Sequence, residues 1–163
     1  MSIRLGDVLV KRGLLSEAQR DSILDKQREV GRPFGELAEG MFGVHPDDVE
    51  RAWAHQYAAM APHIDPAATP PEASALRLIS ARQAWQFRVL PLCYQDNELV
   101  VCTTEAHLVR ALKFAGWRLG EVCTFVITDD ESMGQALDHH YPIAGLSPKD
   151  LNNPFPVEMT DAA

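Results

Sequence analysis

Residues 4–27 read RLGDVLVKRGLLSEAQRDSILDKQ and residues 33–56 read PFGELAEGMFGVHPDDVERAWAHQ, two segments of equal length that align at a constant offset of 29. Gly6 falls on Gly35, Gln27 on Gln56, Leu15 on Val44 and Leu24 on Trp53. Self-similarity at a fixed period marks a repeated supersecondary unit. Each copy reads as a short helix, a turn and a longer helix ending in glutamine, and repetition of a helical hairpin for packing alone would produce the same pattern.

The punctuation around these segments is helical. Ile3, Val8 and Leu9 recur near helical spacing, Gly13 suits the end of the first helix, and Ser16-Glu17-Ala18-Gln19 is a capping box opening a second helix that runs to about Val30. Gly31 ends it and Pro33 prevents continuation. A third helix is expected over Phe34 to Met41, stopping near Gly43. Pro46, followed by Asp47 and Asp48 facing the positive end of the helix dipole, opens a fourth that Pro62 closes. This predicts a helical subdomain over 1–60, followed by a linker over 61–72 that holds Pro62, Pro66, Pro70 and Pro71.

Beyond the linker the period changes. A helix over about Ala73 to Phe87 leads to Val89–Tyr94, turn residues Asp96-Asn97 and Leu99–Thr103, two apolar β-prone runs that read as a hairpin. A helix around Ala106 to Arg118, a strand Val122–Ile127 and a helix from Asp129 to His140 complete a small α/β subdomain over 73–142. The expected class is α+β. Residues 143–163, with Pro148, Pro154 and Pro156 and little periodicity, read as a flexible tail.

Composition narrows the function. The 163 residues carry 15 basic and 23 acidic side chains, a net charge of −8, which is unfavourable for binding DNA or RNA polymers. The charge is uneven. Residues 1–32 hold seven basic and five acidic groups, a balance of +2, and the remainder holds eight and eighteen, a balance of −10. A small anion therefore meets its least hostile surface at the start of the chain. No apolar run reaches the ~18 residues of a membrane helix and no signal sequence is visible, so a cytoplasmic location without membrane insertion is expected. Cys93, Cys102 and Cys123 lack CxxC spacing and read as buried free thiols.

Catalytic signals are sparse. There is no G-x-x-x-x-G-K-[ST] phosphate loop, so ATP hydrolysis is not expected. Asp47-Asp48-Glu50 and Asp129-Asp130-Glu131 sit at expected helix starts, where the dipole favours carboxylates. His139-His140, beside Asp138, suit a helix end better than a metal site, because neighbouring helical residues diverge and no spaced third ligand follows. His55 reads as a helix-surface residue. No enzyme, cofactor or metal is expected.

The run from Arg4-Leu5-Gly6 through Leu9, Val10, Gly13, Ser16 and Gln19 to Gln27 resembles the N-terminal domain of the ATPases that drive type II secretion and type IV pilus assembly, the MshEN or general secretory pathway E N-terminal family. His63-Ile64-Asp65, Arg88-Val89-Leu90-Pro91-Leu92, Asn97–Cys102 and the closing helix into His140-Tyr141 follow the order of that domain's second half. The resemblance covers roughly residues 3–142, without the motor domain. It implies a helical and a small α/β subdomain and, in the branch with two motifs separated by five residues, binding of cyclic di-GMP. Residues 28–32 form such a spacer. The implied ligand-binding residues are Arg4, Leu5, Gly6, Leu24, Gln27, Arg32, Phe34, Gly35, Trp53 and Gln56: arginine for phosphate or a guanine edge, glycine for close backbone approach, glutamine for paired donors and acceptors, and apolar side chains against the bases. A protein partner in a secretion, pilus or other envelope-associated assembly is also implied, and an adaptor that has lost nucleotide binding is the alternative.

The second motif departs from the family. Pro33 stands where members often carry Arg or another polar residue, Arg20 where Leu is usual, and Phe42 where Gly is usual. Losing one arginine contact removes about 1.5–3 kcal/mol, against about −8 kcal/mol for micromolar affinity. Arg32, one position before Pro33, is the nearest replacement by side-chain reach.

Overall fold

The computed structural model of the chain describes residues 4–153, which fall in two compact units that divide between Met60 and Ala61. The class is α+β.

The first unit contains α1 (Leu5–Lys11), α2 (Glu17–Val30), α3 (Phe34–Phe42) and α4 (Pro46–Met60). Its boundaries follow from the caps. The Ser16 hydroxyl accepts from the Gln19 amide and the Gln19 side chain accepts from the Ser16 amide, closing the capping box. Gly31, at φ 69°, takes the left-handed conformation that ends α2 and donates to the Gln27 carbonyl. Leu9 and Ile23 are fully buried at the centre, surrounded by Val8, Leu15, Leu37, Ala38, Val44 and Ala52. The repeat register Leu15 to Val44 thus pairs two core positions.

The two copies are cross-packed: α1 lies mainly against α4, and α2 mainly against α3. Each short helix leans on the long helix of the other copy. The glycines make this possible. A methyl group on Gly6 would stand 2.8 Å from Phe34 Cζ and 3.1 Å from Arg20 Cγ; on Gly35 it would stand 2.7 Å from Val49 Cγ1 and 3.7 Å from Leu5 Cδ2. Phe34 and Leu5, like Arg20 and Val49, are 29 residues apart. The two contacts are therefore one contact made twice.

The second unit is built on a sheet of β1 (Leu90–Gln95), β2 (Glu98–Thr103) and β3 (Cys123–Ile127) in that spatial order. β1 and β2 form the expected hairpin, antiparallel, with Asp96 and Asn97 both at positive φ as a two-residue primed turn demands. Proline is tolerated at 91 because β1 is an edge strand, and the ladder bulges between Pro91 and Cys93. β2 and β3 run parallel. The crossover between them, expected as one helix, is instead a 3-10 turn Glu105–His107, α7 (Leu108–Phe114) and a π-helical turn Ala115–Leu119.

Three further expectations are corrected. The helix placed over Ala73 to Phe87 is two, α5 (Ala73–Leu76) and α6 (Ala81–Phe87), because Ser80 and Gln83 form a second capping box that starts α6 afresh. The stretch read as a linker is tied to the sheet. Ile64 donates to the Ile127 carbonyl, Ile127 donates to the Pro62 carbonyl, and Glu72 donates to the Leu92 carbonyl. The tail is structured through Asn153. After α8 (Asp130–His140), a 3-10 turn Pro148–Asp150 packs its backbone against Gly134, and Leu151 is 2 % exposed. The Arg88 guanidinium holds that segment, Nε donating to the Leu151 carbonyl at 2.5 Å and Nη2 to the Asn153 carbonyl at 2.7 Å. Residues 154–163 of the expected tail lie outside the described residues. Of the thiols, Cys102 is buried, which pushes its pKa up to about 12, while Cys93 and Cys123 are only partly buried.

Candidate functional site

The first unit carries a groove of about 460 Å³ lined by Arg4, Leu5, Gly6, Asp7, Arg20, Asp21, Leu24, Gln27, Phe34 and Gln56. Its walls are the start of α1, one face of α2, the start of α3 and the last half of α4. Seven of the ten motif residues line it, drawn from both copies. Arg4, immediately before α1, is exposed and has no side-chain hydrogen bond to the helix start. Leu5, Leu24 and Phe34 are half-buried and present apolar surface, while Gln27 and Gln56, also half-buried, bring amides to the same opening.

The other three motif residues lie elsewhere. Gly35 is buried and serves the helix contact with Val49. Trp53 packs on Tyr57, ring centroids 5.5 Å apart and planes at 44°. Arg32 pairs with Glu36 at 3.4 Å and is not among the groove residues.

Three charged groove residues were not in the expected set: Asp7, Arg20 and Asp21. Arg20 Nη1 donates to Asp7 Oδ1 at 3.0 Å and Arg20 Nε to Asp21 Oδ1 at 3.3 Å. The hydrogen bond to Asp21, with the charges of both carboxylates, raises the pKa of Arg20 above its ordinary value. The sequence signal was present: Arg20, Leu24 and Gln27 follow the i, i+4, i+7 spacing of one helix face, and Asp7 lies three residues beyond Arg4. Two guanidinium groups and two carboxylates thus balance in the groove. It can offer arginine donors to an anion, amides to a heterocycle edge and apolar faces to a planar ring.

The second unit has a smaller hollow of about 200 Å³ lined by Asp65, Pro66, Ala67, Ser132, Gln135, Ala136, His139 and His140. Burial and the neighbouring His139 lower the pKa of His140. Among the described residues no group of three His, Cys, Asp or Glu side chains could hold a metal ion, and no helix is long and apolar enough to cross a membrane.

The sequence profile of the MshEN domain matches residues 59–145, more than half of the chain. The chain belongs to the MshEN domain family. The MshEN match begins at the end of α4 and covers most of the second unit, so the groove residues at 4–56 lie outside it. Among solved structures, the chain is similar to MshE with cdg, at 24 % identity over 85 % of this chain and 99 % of that one, with a TM-score of 0.48. It is also similar to the N-terminal domain of XpsE, at 18 % identity over 85 % of this chain and 94 % of that one, with a TM-score of 0.46. No curated protein sequence matches the chain.

Proposed function

We propose that the helical unit binds cyclic di-GMP and that the chain is a non-enzymatic regulatory module of the cytoplasm. The observation that carries this reading is the groove: seven motif residues from two copies of one sequence pattern converge on a single opening. A volume of about 460 Å³ lies within the range of small-molecule sites. The ligand's guanines suit Leu5, Leu24 and Phe34, with Gln27 and Gln56 at their polar edges, and its phosphates suit Arg4. MshE was solved with cdg, and the proposal brings the same ligand to this chain on the strength of the groove residues alone. The output goes to a protein partner in a secretion, pilus or other envelope-associated assembly.

A second reading is favoured by two specific observations. Asp7 and Asp21 place carboxylates on the groove and Pro33 replaces the second copy's counterpart of Arg4. These features suit an adaptor of the same machinery that has lost nucleotide binding.

Calorimetric titration of cyclic di-GMP into the full chain separates the two. Binding in the micromolar range is expected, weakened at least about tenfold by Arg4→Ala and by Gln27→Ala, in line with the loss of a hydrogen bond to a charged or well-placed polar group. Absence of heat and of any thermal shift at several hundred micromolar ligand overturns the nucleotide reading and leaves the adaptor.

A further inference from the structure

We infer that Arg20 is the second phosphate-binding cation of the groove and that Asp7 is its gate. The inference rests on the cyclic di-GMP reading above and specifies how an incomplete repeat serves a symmetric dianion. By the offset of 29, the counterpart of Arg4 is Pro33 and the counterpart of Arg20 is Val49. Neither counterpart carries a charge. Val49 packs into the gap left by Gly35, whereas Arg20 lays its stem across Gly6 and takes its head to the groove. Both groove guanidinium groups therefore come from the first copy, and they are not symmetry mates.

Arg20 is well placed for the role. It shares one face of α2 with Leu24 and Gln27, and its stem is packed on α1, so its planar donors are held in position before a ligand arrives. Its side chain is 27 % exposed, with Nη1 donating to Asp7 and Nε and Nη2 to Asp21. A phosphate can take the Nη1 donor that Asp7 holds, since an anionic phosphate oxygen accepts a guanidinium N–H as a carboxylate oxygen does. Asp7, exposed on α1, then turns to solvent. Asp21 follows Arg20 on the same helix and stays as its neighbour. Ligand entry is thus an exchange of anions at Arg20, and affinity depends on how firmly Asp7 holds the guanidinium.

The two variants have opposite expected signs, so loss of folding cannot imitate the result. In titrations of cyclic di-GMP into the full chain, Arg20→Leu is expected to weaken binding about tenfold or more, and Asp7→Asn to tighten it severalfold. Because the two residues touch, their effects are coupled: the gain from Asp7→Asn is expected to shrink when Arg20 is Leu. Binding that is weakened by Arg4→Ala yet unchanged by Arg20→Leu overturns the role of Arg20 and leaves the nucleotide reading intact. A gain from Asp7→Asn that is equally large without Arg20 overturns the gate. No binding by the wild type or by Asp7→Asn overturns the nucleotide reading and this inference with it.

Discussion

The two units use their polar side chains in opposite ways. In the second, polar groups are spent on long-range anchors: Trp85 Nε1 donates to the Tyr141 carbonyl at 2.8 Å, the Tyr141 hydroxyl to the Leu76 carbonyl at 2.7 Å, and Arg88 to the carbonyls of Leu151 and Asn153. These join residues 56 to 65 positions apart. In the first, Arg20 and Asp7 are only 13 positions apart, and Arg28 with Asp25 and Lys26 with Glu29 stay within one helical turn. Apolar packing holds that unit, and its charged and amide groups line a groove. The family profile matches mainly the anchored unit, while the groove residues lie in the other. The profile match and the groove thus rest on different residues in different halves of the chain.

The contrast can be broken by experiment. Trp85→Ala removes the largest fully buried side chain together with its anchor and is expected to destabilise the second unit by about 3–5 kcal/mol in denaturant titration. Leu9→Ala tests the apolar centre of the first unit, with an expected loss of about 2–5 kcal/mol. A loss well under that range would mean that polar contacts contribute more to the helical unit than its packing does. Gly134→Ala would place a methyl group 2.6 Å from the Pro148 carbonyl oxygen, and an overpacking loss of about 1–3 kcal/mol is expected. An unchanged thermal midpoint would show that the segment after α8 is dispensable to the fold. Ser16→Ala and Ser80→Ala remove the same capping box from different units, and each is expected to cost about 1 kcal/mol. Arg28→Ala breaks a pair whose side chains are 77 % and 76 % exposed, and a change below about 0.5 kcal/mol is expected.

The helical unit was almost fully legible in the sequence, because its boundaries are set by local chemistry: the Ser16 box, Gly31 and Gly43, Pro46. The hairpin was legible from Asp96-Asn97 for the same reason. The break at Ser80 carried the same signal as Ser16 and was masked by the apolar residues on either side, which continue a helical pattern. The segment after Tyr141 carried one such signal, Ser147 with Asp150, whose carboxylate accepts from the Ser147 amide at 2.8 Å, and the prolines around it masked that signal. Its proline content argues for a tail, and what orders it is a guanidinium more than sixty residues earlier bonded to main-chain carbonyls, which no local pattern encodes. The motif found most of the groove wall. Arg20 fell outside it because its counterpart is Val49 and repeat matching rewards positions that agree between copies; Asp7 and Asp21 do align with acids, Glu36 and Glu50, but a carboxylate is not a group that an anionic ligand selects.

Cross-packing of the repeats has a further consequence. A single copy lacks the long helix on which its own short helix rests, so it is half of a two-fold dimer, and the spacer between the copies makes that dimer one chain. Two identical protomers must change together, whereas two linked copies can diverge one residue at a time. Arginine at 4 opposite proline at 33, and arginine at 20 opposite valine at 49, are differences that only a covalently joined pair can hold.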